Sequence, residues 1–193
     1  MYIGAEVIWL ATVVVALATI GRGWRRHAPI ARIGCELVFL GYLAGVASVT
    51  LFPIILEPGF IQEMRQTNDL ADGINLLPLA GLGVIDGTLG HQVFLNVLLG
   101  VPFGFSMPFL GVIAARRVVA FGVVFAVSIE LVQLAIDVAY QFGYRTVDIN
   151  DVISNVVGVT IGFGLFRFVR LAYGALKFKS NDVGDYLHGV LSP

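Results

Sequence analysis

The stretch VVAFGVVFAVSIELVQLAIDVAYQF, residues 118–142, decides the fold. A helix needs about 20 mainly apolar residues to cross a hydrocarbon core, and this stretch supplies them. It also carries Glu130, Gln133 and Asp137, spaced i, i+3 and i+7, which places all three on one helix face. A charge at that depth costs a few kcal/mol or more, so such a face turns toward protein or a watery cavity and away from lipid. A span with a polar seam belongs to a bundle of spans.

The rest of the chain agrees. Windows at roughly 3–20, 37–56, 93–115 and 152–169 also have the length and apolarity to cross. Of the 193 residues, 58% are hydrophobic and 13% charged. Adding the 23 glycines brings the apolar-plus-glycine share to roughly 70%, against about 45–50% in soluble globular domains. A soluble fold of this size has too much surface to hide that much apolar side chain. The expected fold is therefore all-α, a polytopic membrane bundle of about five transmembrane helices. The stretch at 74–85 is apolar but short for a span and holds Asn75 and Pro78, which predicts an interfacial or re-entrant segment, with a sixth full span as the alternative.

Charge placement gives the orientation. Along the successive loops and the tail, Lys and Arg number 4, 1, 2, 1 and 4, so ten of the twelve fall on one side. The positive-inside rule makes that side cytoplasmic, with the N-terminus outside and the C-terminus inside. The basic residues follow the first apolar run, as in a signal anchor with its N-terminus outside. The expected domains are a transmembrane unit over 1–173, with its core motif region at 72–164, and a solvated cytoplasmic tail over 174–193. Net charge is −1, so bulk charge does not suggest nucleic acid, and the lone Cys35 cannot form an internal disulfide.

The densest polar cluster opens the fifth window: Arg145, Asp148, Asn150, Asp151, Ser154 and Asn155. Asp and Asn at a helix start cap free backbone N–H groups. That explains one or two of them, but not Asn155 a turn inside the membrane. Asn96 lies at the outer end of the third window, ahead of Pro102 and Pro108, either of which can kink a helix. These positions, with Asp72, Asn75, Glu130, Gln133 and Asp137, are expected to line one cavity in the outer half of the bundle. For Glu130 the bland alternative is a protonated side chain hydrogen-bonded to a neighbouring helix. The carboxylate surplus would suit Mg²⁺ or Ca²⁺, with Asp148 and Asp151 as candidate ligands, and Arg145 could grip a phosphate or carboxylate bidentately. Gly41/Gly45, Gly100/Gly104 and Gly158/Gly162 have the small-xxx-small spacing of closely packed helices. No phosphate-binding loop, nucleophile elbow or paired-histidine motif is present.

Four blocks, NLLPL at 75–79, NVLLGVPFGF at 96–105, SIELVQ at 128–133 and RTVDINDVISNVVG at 145–158, resemble the VanZ-like family of small bacterial membrane proteins. The last two are the specific ones. The chain departs from the family pattern at Leu79, Asn150 and Val159, where Phe, an acidic residue and Gly are usual. The resemblance implies a multi-pass protein of the bacterial cytoplasmic membrane, and the family is named for a protein associated with teicoplanin resistance. Its motif positions fall on Asn75, Asn96, Glu130, Gln133, Arg145, Asp148, Asp151 and Asn155 as expected ligand-binding residues.

Three functions compete. One is a cavity that binds a cell-wall or lipid-linked ligand and lowers sensitivity to lipoglycopeptides. Another is an intramembrane hydrolase or transferase acting on a phosphorylated polyprenyl lipid, with Glu130 as acid or base and a divalent cation on Asp148 and Asp151. The last is an ion-coupled transporter. The expected partners are the bilayer and a lipid-linked precursor or polyprenyl phosphate; the sequence leaves the oligomeric state open.

Overall fold

The computed structural model describes residues 1–78, 87–176 and 184–192. Five of its helices are long and apolar enough to cross a membrane. They are α1 (Glu6–Arg25), α2 (Ile30–Leu51), α4 (Gly87–Ser106), α5 (Ala115–Tyr140) and α6 (Ile149–Leu176). Two short helices, α3 (Pro58–Thr67) and α7 (Gly184–Leu191), sit at opposite ends of the chain's up-and-down path. Side chains such as Val14, Leu17, Val38, Val124 and Phe168 are exposed along the long helices, as lipid-facing positions should be. The chain is an all-α, multi-pass membrane bundle, as the apolar windows predict.

Two small β-pairings tie the loops together at one end. β1 (Tyr2–Ile3) runs antiparallel to β2 (Ile54–Ile55), and β3 (Ile74–Asn75) runs parallel to β4 (Val147–Asp148). This end carries the N-terminus, α3 and the turn between α5 and α6; we call it the loop end.

Helix–helix packing sorts the three glycine pairs. α4 and α6 approach until backbone meets backbone. A Cβ on Gly104 would stand 1.9 Å from the Val159 carbonyl oxygen, one on Gly158 2.1 Å from that of Val97, and one on Gly162 2.0 Å from that of Val101. Only glycine permits this approach. The pair Gly41/Gly45 does not behave as its spacing predicts: a Cβ at either position meets nothing within 4 Å. Among the described residues, no helix covers that face of α2, and Gly45 borders a cavity instead.

The core sits toward the other end, where Phe103, Met107, Val118, Val159, Phe163 and Phe166 are buried together. Phe103 stacks on Phe125 with ring centroids 4.4 Å apart. The third window is shorter as a helix than its apolarity predicts. α4 stops at Ser106, a 3₁₀ turn covers Met107–Leu110, and Gly111 closes it at φ 90°. Pro108 lies in the first turn of that element, where its missing N–H costs nothing.

The tail also departs from expectation. α7 is not a free solvated extension; its Val190 and Leu191 pack on the core, Tyr186 donates its hydroxyl to the Phe109 carbonyl, and Arg170 Nε donates to the Ser192 carbonyl at 2.8 Å. Apolar Val190 and Leu191 find more to bury on the bundle than in water. The predicted segment at 74–85 falls mostly on 79–86, outside the described residues; its start is β3.

Candidate functional site

The loop end is built on three carboxylates that hold backbone. Asp137 lies a turn before the end of α5, fully buried. Its Oδ1 accepts the backbone N–H of Tyr144 at 3.1 Å and of Arg145 at 2.9 Å, fixing the turn that returns the chain to α6. The turn fits because Gly73 and Gly143 touch: a Cβ on Gly143 would lie 3.1 Å from the Gly73 Cα. Two turns deeper on α5, Glu130 Oε2 accepts the backbone N–H of Asp148 at 3.0 Å. Asp148 precedes α6 and caps it, its Oδ1 taking the Asn150 N–H at 2.7 Å. Its Oδ2 accepts Asn75 Nδ2 at 3.0 Å, reinforcing the β3–β4 pairing. Asn75, Glu130, Asp137 and Asp148 are therefore brought together as one scaffold. They do not line the cavity as expected; they hold the chain that lines it.

Aromatic rings and one arginine brace the same turn. Tyr140 stacks on Phe142 and meets Tyr144 edge-on. The Tyr140 hydroxyl donates to the Ile55 carbonyl at 2.7 Å, and Arg65 Nε from α3 donates to the Tyr140 carbonyl at 2.6 Å. A cation on the last carbonyls of a helix is favourable, because the dipole leaves them negative.

The cavity lies beside this scaffold and measures about 750 Å³. From α2 come Tyr42, Gly45, Val46, Val49 and Thr50. From α4 come Gln92, Leu95, Asn96, Leu98, Leu99 and Pro102. Gln133, Arg145 and Asp151 complete it. Of the eight sequence-predicted residues, Asn96, Gln133, Arg145 and Asp151 line the cavity, and Asn75, Glu130, Asp148 and Asn155 stand behind it. The α2 wall was not legible, because its residues are apolar and look like any lipid-facing stripe. Gln92 carried a readable signal, an amide at the edge of an apolar window.

Several polar residues in and behind the cavity wall are held. The Asn96 amide and the Asp151 carboxylate lie side by side across the α4–α6 contact. Gln133 Nε2 donates to the Thr50 carbonyl at 3.1 Å, joining α5 to α2. Asn155 is 1% exposed, and its Nδ2 donates to the Asp151 carbonyl at 2.9 Å. The Arg145 guanidinium lies over the Tyr144 ring, 4.9 Å from its centroid.

Several buried polar atoms have no hydrogen-bond partner among the described residues. They are Arg145 Nε and Nη2, Gln133 Oε1, Asn155 Oδ1 and Asp137 Oδ2. A buried polar group left unpaired costs about 1–3 kcal/mol, more when charged. Arg145, which lines the cavity, thus holds two buried and unspent donors. Among the described residues, no group of three or more His, Cys, Asp or Glu converges as a metal site. Both Asp148 oxygens are already engaged by Asn150 and Asn75.

Fold and site together define a polytopic α-helical membrane protein with a polar-headed cavity between helices at one end. The VanZ/LLP1 family model matches residues 39–170, more than half of the chain, and the chain belongs to that family. The match spans every residue that lines the cavity and leaves out α1 and α7. No curated protein and no solved structure matches the chain.

Proposed function

We propose that this protein binds the oxyanion headgroup of a membrane lipid in the cavity between α2, α4 and α6, with Arg145 as the headgroup ligand. One observation carries the reading. Nε and Nη2 are the two donors on one edge of the guanidinium of a cavity-lining residue, and both are buried without a partner among the described residues. That edge forms two parallel hydrogen bonds to a phosphate or carboxylate. No ion pair to Arg145 closer than 4 Å occurs among the described residues, and the buried Asp137 carboxylate is the neighbouring charge that acts on it. Asn96, Gln133 and Asp151 supply the remaining polar contacts. Asn75, Glu130, Asp148 and Asn155 act as positioning residues.

The ligand class that fits is a lipid-linked cell-wall precursor or a polyprenyl phosphate. The loop end faces outward from a bacterial cytoplasmic membrane, N-terminus outside and C-terminus cytoplasmic, in keeping with the arginines at the other end. Sequestering such a lipid at the outer leaflet lowers sensitivity to lipoglycopeptides such as teicoplanin. Expression of wild type and Arg145→Ala in a teicoplanin-sensitive host tests the reading. Protection by wild type and its loss in the variant are expected. Equal protection, or none from wild type, refutes it.

A further inference from the structure

Resting on the headgroup reading above, we infer that the gap between α2 and α4 is a lateral portal, and that the lipid bound at Arg145 lays a single hydrocarbon chain along Val46, Val49, Leu98 and Pro102. The cavity has a polar head and an apolar stem. α2 ends at the loop end and α4 starts there, so Thr50, Gln92 and Asn96 lie near the headgroup level while Tyr42 and Pro102 lie deepest. From Thr50 to Tyr42 the helical rise gives a depth of about 12 Å. Over that depth the described lining residues carry no free donor: the Tyr42 hydroxyl is spent on the Leu99 carbonyl at 2.5 Å. The outer lip opens to lipid, with Val49 67%, Leu98 52% and Leu95 42% exposed. The α2 face is hollow at Gly45, where a Cβ would meet nothing within 4 Å.

The shape matches an anionic amphiphile. A water-soluble ligand would leave the apolar stem empty, and a neutral lipid would leave the guanidinium unpaired. A chain gains little by leaving lipid tails for an equally apolar groove. Selectivity therefore rests with the oxyanion, and the groove's role is to let a lipid enter sideways without lifting its chain out of the bilayer.

The test uses the full chain in phosphatidylcholine liposomes with two probes, hexadecyl phosphate and palmitic acid, each bearing a photoreactive diazirine at mid-chain. Adducts are mapped by peptide mass spectrometry, and butyl phosphate binding is followed separately by calorimetry in detergent. Adducts from at least one probe are expected on the α2 and α4 groove residues, the preferred probe identifying the oxyanion. Gly45→Phe, whose Cβ would meet nothing within 4 Å, should cut them by about tenfold, equivalent to about 1.4 kcal/mol. Gly45→Leu serves if the larger residue prevents folding. Arg145→Gln should abolish both signals. Adducts spread evenly over Val14 and Val124, unchanged by either Gly45 variant while butyl phosphate binding still requires Arg145, overturn the portal alone. Butyl phosphate binding that is absent or indifferent to Arg145→Gln overturns the headgroup reading.

Discussion

Gly104→Ala and Gly41→Ala make the same chemical change in the same sequence motif, and the structure predicts opposite results. At Gly104 the added methyl would sit 1.9 Å from the Val159 carbonyl oxygen and 2.7 Å from its carbon. Ordinary contact begins at 3.4 Å, so α4 and α6 must part by about 1.5 Å, and no rotamer change can relieve a clash with backbone. Forcing extra volume into packed structure costs about 1–3 kcal/mol. Weak Cα–H···O contacts across the seam are lost as well, at about 0.5–1 kcal/mol each. Alanine's better helix propensity returns up to about 1 kcal/mol. The net expectation is a loss of about 2 kcal/mol at Gly104 and a gain of up to about 1 kcal/mol at Gly41. For a chain of this size about 3 kcal/mol separates melting temperatures by about 6–12 °C. Thermal unfolding in detergent, followed by loss of the monodisperse peak, measures it. Parting α4 from α6 also separates Asn96 from Asp151, so Gly104→Ala should weaken ligand binding while Gly41→Ala should not. Equal melting temperatures for the two variants would refute the packing argument.

Other consequences follow from single contacts. Asp137→Ala removes the acceptor for two buried N–H groups and should cost about 2–4 kcal/mol; Asp137→Asn keeps one oxygen and should cost less than half as much, measured as protease resistance of 141–148. Glu130→Gln preserves an acceptor for the Asp148 N–H and should leave the α6 cap intact, whereas Glu130→Ala should expose that amide to hydrogen exchange. Burial pushes the Tyr186 phenol above its usual value of 10, with Cys35 and Glu36 adding to the effect and Arg32 opposing it. The folded value is the higher one, so α7 docking is at full strength below pH 10 and is lost as pH rises through the raised value. Protease access to 184–192 during an alkaline titration should show that step, and Tyr186→Phe should remove it.

What the sequence revealed tracks the cost of burying each group. Glu130, Asp137 and Asn155 stand out because a polar side chain inside an apolar span must be paired, and all three are buried in the bundle. Their roles were less legible: spacing puts Glu130 and Asp137 on one face but cannot show that each reaches across a turn to a backbone N–H. The five spans followed from composition, but their ends did not. Pro108 and Gly111 terminate the α4 segment by local geometry that an apolarity window averages away. Gly41/Gly45 and Gly100/Gly104 read alike because spacing says which residues share a face and nothing about what covers it. The apolar cavity wall stayed hidden for the same reason, since Val46 and Leu98 carry no burial penalty in either setting.

The central claim is that the buried guanidinium of Arg145 holds a lipid oxyanion. Native mass spectrometry of the detergent-purified protein, wild type against Arg145→Ala, tests it most directly. A co-purifying anionic lipid on the wild type that is missing from an equally stable variant is the predicted result. Identical spectra for the two proteins, with or without bound lipid, would contradict the claim.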